Sequence, residues 1–179
     1  MKTKLLESIN IPSGIECSLH NGILKSKKSN HELSRFVGFP GIETKIEAGK
    51  LIFKADRGSK KEFKQIKSLI AHVKNIFGGL DKKFIYKLQS ANVHFPMTLK
   101  VEKHQLIINN FLGEKTPRKA KILPNVEVEV KGQNITIESN DKEAAGQTAA
   151  NFEKATKVRN RDRRIFQDGI YIVEKGAIR

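Results

Sequence analysis

Apolar and polar positions alternate along much of the chain, and the alternating stretches come in pairs joined by tight-turn residues. Residues 11–26, IPSGIECSLHNGILKS, hold an apolar residue, a proline, a turn residue, an alternating run, a polar turn at His20-Asn21-Gly22 and a second alternating run. Residues 123–139, LPNVEVEVKGQNITIES, repeat that order around Lys131-Gly132-Gln133-Asn134. A period of two sends successive side chains to opposite faces of a strand, so both segments predict β-hairpins.

Helical periodicity occurs twice. Phe63, Ile66, Leu69, Ile70, Val73 and Phe77 recur at helical spacing, and Ser59 followed by Glu62 forms a capping-box pair that satisfies the first N–H groups of a helix. Gly78-Gly79 is expected to stop this helix. A second helix opens near Asn140 or Asp141, has Glu143 in its first turn, and carries Ala144, Ala145, Thr148, Ala149, Phe152 and Ala155 on one face. Residues this small predict close packing of that helix on a sheet.

Each helix is followed by a turn and a short apolar strand, KKFIYKL at 82–88 and DGIYIVEK at 168–175, with Ile-Tyr at matching places. The pattern predicts an α+β fold of two similar domains from an internal duplication, each a β-rich sheet unit packed on one α-helix. The first α/β repeat domain is expected over 1–81 and the second over 82–179. Neither half has the strand and helix alternation of a Rossmann domain.

Charge adds what the pattern lacks. The 179 residues include 34 Lys and Arg against 19 Asp and Glu, a formal net charge of +15. Such an excess favours a polyanionic partner, because neutralising phosphates releases counterions and drives binding without reading sequence. No apolar stretch reaches the length of a membrane span. The start, MKTKLLESINIPSG, lacks a secretory apolar region and carries Glu7, so a soluble, intracellular protein is expected. The single cysteine, Cys17, sits in an alternating apolar pattern and reads as a small core residue.

Catalytic and cofactor motifs are absent. His20, His31, His72, His94 and His104 are scattered without metal-ligand spacing, and no glycine-rich phosphate loop occurs, so no metal and no cofactor are expected. Asp162 and Asp168 lie among arginines, which raises a metal-dependent RNA-processing enzyme as the rival reading. Two-metal chemistry needs several converging carboxylates, and ion pairing and an Asp168-Gly169 turn explain these two acids more simply.

Basic residues cluster instead. In KATKVRNRDRRIFQDG, residues 154–169, the side chains Lys154, Lys157, Arg159, Arg161, Arg163 and Arg164 are interrupted by Val158, Ile165 and Phe166. A solvated charge run is one reading. Arginines held on an ordered connection between helix and strand are the other, and arginine suits RNA because its planar fork pairs with phosphate and stacks on bases. The loop 109–121, NNFLGEKTPRKAK, has the same logic: Asn109 and Asn110 offer amides, Gly113 allows close approach, and Lys115, Arg118, Lys119 and Lys121 supply charge. Lys175 extends the set beyond the turn. Lys25, Lys27 and Lys28 form a weaker patch, read equally as a solvated turn or an RNA contact.

Three segments carry a resemblance. VHFPMTLKV (93–101), IINNFLGEKTPRKAKILPNVEVEVKG (107–132) and RDRRIFQDGIYIVEKG (161–176) resemble the protein numbered six of the large ribosomal subunit, the universal L6 family, in its archaeal and eukaryotic branch. IPSGIE and IAHVKNIFGGL extend the similarity over nearly the whole chain. The resemblance implies a structural, non-catalytic constituent of the cytoplasmic ribosome that binds large-subunit rRNA near the sarcin-ricin loop and the stalk base. Neighbouring ribosomal proteins at the stalk base and nearby translational GTPases would be its protein surroundings, with no DNA and no membrane partner. By analogy the second domain makes the main RNA contacts through the two basic segments. Where the family usually has a Lys-Gly-Pro-Lys-Gly turn, this chain has residues 25–31, KSKKSNH, so the shape of that loop is left open. The ending EKGAIR lacks the longer tail of eukaryotic relatives and is expected of an archaeal one.

Overall fold

A computed structural model describes residues 3–29, 31–162 and 164–178. Arg163, one of the expected contact residues, lies outside them. The chain forms two compact units, Met1–Asp81 and Lys82–Arg179.

The first unit contains β1 (Thr3–Asn10), β2 (Glu16–His20), β3 (Ile23–Lys28), β4 (His31–Phe36), β5 (Glu43–Glu47), β6 (Lys50–Gly58) and α1 (Lys60–Asp81). Its strands form two antiparallel sheets, ordered β1-β6-β5 and β2-β3-β4. Asn21 and Gly22 both have positive φ, which is what a two-residue turn between twisted strands requires. Leu24, Leu51, Phe53, Ile66 and Val73 are fully buried in the core. Cys17 packs against that core, its sulfur 3.5 Å from the Ser26 hydroxyl, and burial pushes its thiol pKa up.

The capping box forms as the sequence implies: the Ser59 N–H donates to Glu62 Oε2 at 2.8 Å and the Lys61 N–H to Ser59 Oγ at 3.1 Å. One expectation for this helix fails. The helix runs through Gly78-Gly79 to Asp81, because Phe77, Gly79 and Leu80 continue its buried stripe and packing outweighs the poor helix propensity of glycine. Phe63 stays 43% exposed, with Lys67 Nζ 5.4 Å from its ring centroid.

The second unit contains β7 (Phe84–Ala91), β8 (Thr98–Glu102), β9 (Gln105–Asn109), a 3-10 turn (Phe111–Gly113), β10 (Arg118–Lys121), β11 (Glu127–Lys131), β12 (Asn134–Ser139), α2 (Lys142–Ala155) and β13 (Gly169–Ile178). Its sheets are ordered β10-β9-β8 and β11-β12-β7-β13. Asp141 caps α2 by accepting the Glu143 N–H at 2.9 Å. Ala144, Ala145, Thr148, Ala149 and Phe152 are buried, so the small-residue face meets the sheet. Gly146 takes part as well, since a Cβ there would lie 3.0 Å from the Tyr86 hydroxyl.

The duplication has a different register from the one the hairpins first suggest. The element order of the first unit, a strand, a three-stranded meander, a hairpin and a helix, recurs in the second with β13 added. The partner of the β11–β12 hairpin is therefore β5–β6, not β2–β3. The matching sequence is Phe39-Pro40-Gly41-Ile42 against Leu123-Pro124-Asn125-Val126, with positive φ at Gly41 and Asn125. The strands after the two helices are likewise not equivalents: β7 and β13 pair antiparallel in one sheet, with Tyr171 opposite Gln89.

Candidate nucleic-acid interface

The basic segment after α2 is pinned at both ends. At its start, the Thr156 hydroxyl accepts the Ile170 N–H at 2.8 Å, and Val158 is buried two residues later. At its end, the buried Asp168 carboxylate accepts the Val93 N–H at 2.8 Å and the His94 N–H at 3.3 Å, with His94 Nδ1 3.2 Å away. Burial works against this charge, but those hydrogen bonds together outweigh it and hold the carboxyl below its ordinary pKa. Asp168, expected as a turn former, instead ties the segment to the connection between β7 and β8, far away in the chain.

Between the pins the loop is ordered by its own contacts. The Asp162 main-chain oxygen accepts from Ile165 and Phe166, and its carboxylate accepts the Arg164 N–H at 2.9 Å. The His94 ring stacks on Phe166 with centroids 5.0 Å apart, and the Arg161 guanidinium lies 4.8 Å from the Phe166 centroid. Lys157, Arg159, Arg161 and Arg164 are all exposed. These four cations are thus displayed by described residues that such contacts already hold, which lowers the conformational entropy they lose on binding.

The 109–121 segment is built around Arg118. Its guanidinium pairs with both Glu114 carboxylate oxygens, at 2.8 and 2.6 Å, and donates to the Ala155 main-chain oxygen at 2.8 Å. It also lies 4.2 Å from the Phe111 ring centroid. The hydrogen bond from Arg118 holds the Glu114 carboxyl below its ordinary pKa, and the Arg161 charge adds to the effect. Arg118 is therefore a strut between the two basic segments. Asn109 ends β9 half-buried, and the Asn110 amide donates to the Pro96 main-chain oxygen at 3.1 Å. Gly113 has φ +77, a backbone conformation that favours glycine, and lies beside the Phe95 ring.

Strand alternation on β10 buries Ala120 and exposes Lys119 and Lys121. Lys119 meets Lys154, Lys157 and Arg159 in a shallow cleft of about 300 Å³, with Arg118 and Ala155 in its lining. The fold thus joins residues that the sequence places in separate segments. Lys119 also borders a second cleft, of about 660 Å³, with Lys100, Lys103 and His104. Lys115, Lys121 and Lys175 are exposed but line neither cleft. Lys100, Lys103 and His104 lie outside the basic runs of the sequence, whereas Lys154 opens the 154–169 run.

In the first unit, Lys25 lies 3.8 Å from Glu32 and Lys28 pairs with Asp81, while Lys27 is exposed. The segment 25–31 is a strand end and a strand start, with β3 running to Lys28, Ser29 at φ 52 and β4 beginning at His31. Among the described residues, no three of His, Cys, Asp and Glu gather as a metal site. Asp162 and Asp168 each hold a backbone N–H, and they do not converge.

A mixed α+β fold with basic side chains clustered on one face has the charge arrangement expected of a polyanion-binding protein. Residues 95–169 match the family described as Ribosomal protein L6. The chain is 41% identical to the large ribosomal subunit protein uL6 of Methanococcus vannielii, over 96% of this chain and 94% of that protein. It is 39% identical to uL6 of Methanosarcina mazei, over 98% and 99%, and 41% identical to uL6 of Sulfurisphaera tokodaii, over 97% and 94%. The chain belongs to the ribosomal protein L6 family. These relatives are ribosomal proteins, not enzymes, which removes the RNA-processing rival.

Proposed function

We propose that this chain is a structural constituent of the large subunit of the cytoplasmic ribosome, where it binds large-subunit rRNA near the sarcin-ricin loop and the stalk base, beside the docking site of translational GTPases. The observation that carries the RNA reading is the meeting of Lys119 from β10 with Lys154, Lys157 and Arg159 in one cleft. Two sequence segments on different elements supply one continuous field of positive charge, and a rigid frame lets that field follow a folded backbone.

Residues 1–81 and 82–179 act as two repeat domains, and the second makes the main contacts. Lys115, Lys121, Arg161, Arg164 and Lys175 add peripheral charge, and Arg118, Asn110 and Gly113 shape the loop. The position within the subunit rests on the family resemblance. Neighbouring ribosomal proteins at the stalk base complete the surroundings.

Chemical footprinting tests the reading. Large-subunit rRNA reconstituted with and without the protein should show new protections at the sarcin-ricin region and the stalk base. Protections confined to other regions would overturn the location, and an absence of protection would overturn RNA binding.

A further inference from the structure

Beside the basic cleft, between the last turn of α2 and the start of β13, lies a second depression of about 520 Å³. That volume falls within the range of small-ligand pockets, roughly 300–1,000 Å³. Its lining includes the buried Thr156, Val158 and Ile170, with Phe166 and Tyr171 among its side chains, Lys154 and Lys157 contributing positive charge and Glu153 one carboxylate, a net positive edge. Those two lysines also line the basic cleft, so the two depressions share an edge.

Tyr171 is held in place although 45% of it is exposed. Its hydroxyl donates to the Gln167 main-chain oxygen at 2.8 Å. Its ring lies against Gly169, where a Cβ would come within 3.3 Å of Cε2, Cζ and the hydroxyl oxygen. An aromatic ring fixed at its tip and along its side has already lost its rotamer freedom. Whatever stacks on its open part gains contact without ordering it.

We propose that this depression holds one unpaired nucleobase of the bound RNA, stacked on Tyr171, with the adjoining phosphates on Lys154 and Lys157. The inference rests on the RNA reading above and deepens it. Charge complementarity selects the occupant: apolar walls accept an uncharged heterocycle, while the lysines at the shared edge accept the phosphates that flank it. An RNA backbone following Lys119 and Arg159 would pass that edge and could turn one base inward. The Thr156 hydroxyl is already bonded to Ile170 and to its own helix, so the site grips a base by stacking rather than reading its edge.

The chain has two tyrosines, Tyr86 and Tyr171, and no tryptophan, which gives a direct readout. Full-length protein with 13C-labelled tyrosine rings is titrated with a short oligouridylate and with an abasic ribose-phosphate strand of the same length, and Tyr86→Phe assigns the signals. The Tyr171 ring signal should shift with the oligouridylate and stay with the abasic strand, while Tyr86 stays in both. Tyr171→Phe should keep affinity for large-subunit rRNA, and Tyr171→Ala should lower it roughly five- to hundredfold. Equal shifts with both strands, or an unmoved Tyr171 signal, would overturn the base site. If such a result came with rRNA binding that still depended on Lys119 and Arg159, only this inference would fall. A wild-type protein that bound no rRNA would overturn both readings.

Discussion

The Arg118 guanidinium donates to the main-chain oxygen of Ala155 at 2.8 Å, joining β10 to the end of α2. With Glu114 on its other side and Phe111 beneath it, this arginine sets the distance between the two basic segments.

Replacing Arg118 by alanine removes a forked ion pair, a bond to a carbonyl and an aromatic contact. Urea unfolding should show a loss of about 2–3 kcal/mol. The sharper test is Arg118→Lys, which keeps the charge but cannot fork. Its rRNA affinity should fall well below that of wild type, because Lys119 and Lys157 are no longer held together. Unchanged affinity in Arg118→Lys would show that charge alone matters there.

Asp168 should matter through stability. Asp168→Ala removes a buried carboxylate and leaves the Val93 and His94 N–H groups without their acceptor, and thermal or urea denaturation should register a loss of about 1–3 kcal/mol. The pH dependence has a definite sign. The folded pKa lies below the unfolded one, so the stabilisation is present above the ordinary aspartate value, about 3.9, and is lost as pH falls below it toward the folded value. Asp168→Asn should remove that contribution to acid sensitivity. An unaltered acid profile in that variant would contradict the assignment.

The capping box makes a second acid-sensitive point in the first unit. Hydrogen bonds from Ser59 lower the Glu62 pKa from 4.5 to about 2. A depressed carboxyl stabilises the fold above its unfolded pKa and ceases to do so as pH falls through the folded one, so the window runs from about 4.5 down to about 2. The Ser59 amide proton, bonded to Glu62 Oε2, should report the titration by NMR with a midpoint near the lower value. A midpoint at the ordinary carboxylate value would mean that the box is open in solution.

What the sequence made legible was local. Ser59 and Glu62 are three residues apart, and Asp141 and the small face of α2 follow from helical spacing, so neighbours in sequence carry that information. Gly78-Gly79 misled because the burial of Leu80 by distant residues decides whether the helix continues. The roles of Arg118 and Asp168 were hidden for the same reason. Their partners, Ala155, Val93 and His94, come together only once the second unit has folded. The duplication was visible, but its register was not, because the alternating pattern after Ile11-Pro12 is as close to that after Leu123-Pro124 as the true counterpart after Phe39-Pro40.

Lys119 and Arg159 should contribute chiefly counterion release. Alanine at either position should weaken rRNA binding across sequences and flatten the slope of log affinity against log salt by about one unit. Lys27 in the first unit, exposed and outside that cleft, is the matched control and should leave the slope unchanged. Equal effects at Lys27 and Lys119 would mean that net charge, not the cleft, governs binding.

The most direct measurement is binding of the pure protein to a large-subunit RNA fragment containing the sarcin-ricin region, against a scrambled RNA of equal length, across a salt series. The account predicts a preference for the native fragment that persists near physiological salt, because a pinned cationic surface fits a folded backbone. Equal binding to both RNAs that collapses as salt rises would contradict it, leaving only non-specific attraction between opposite charges.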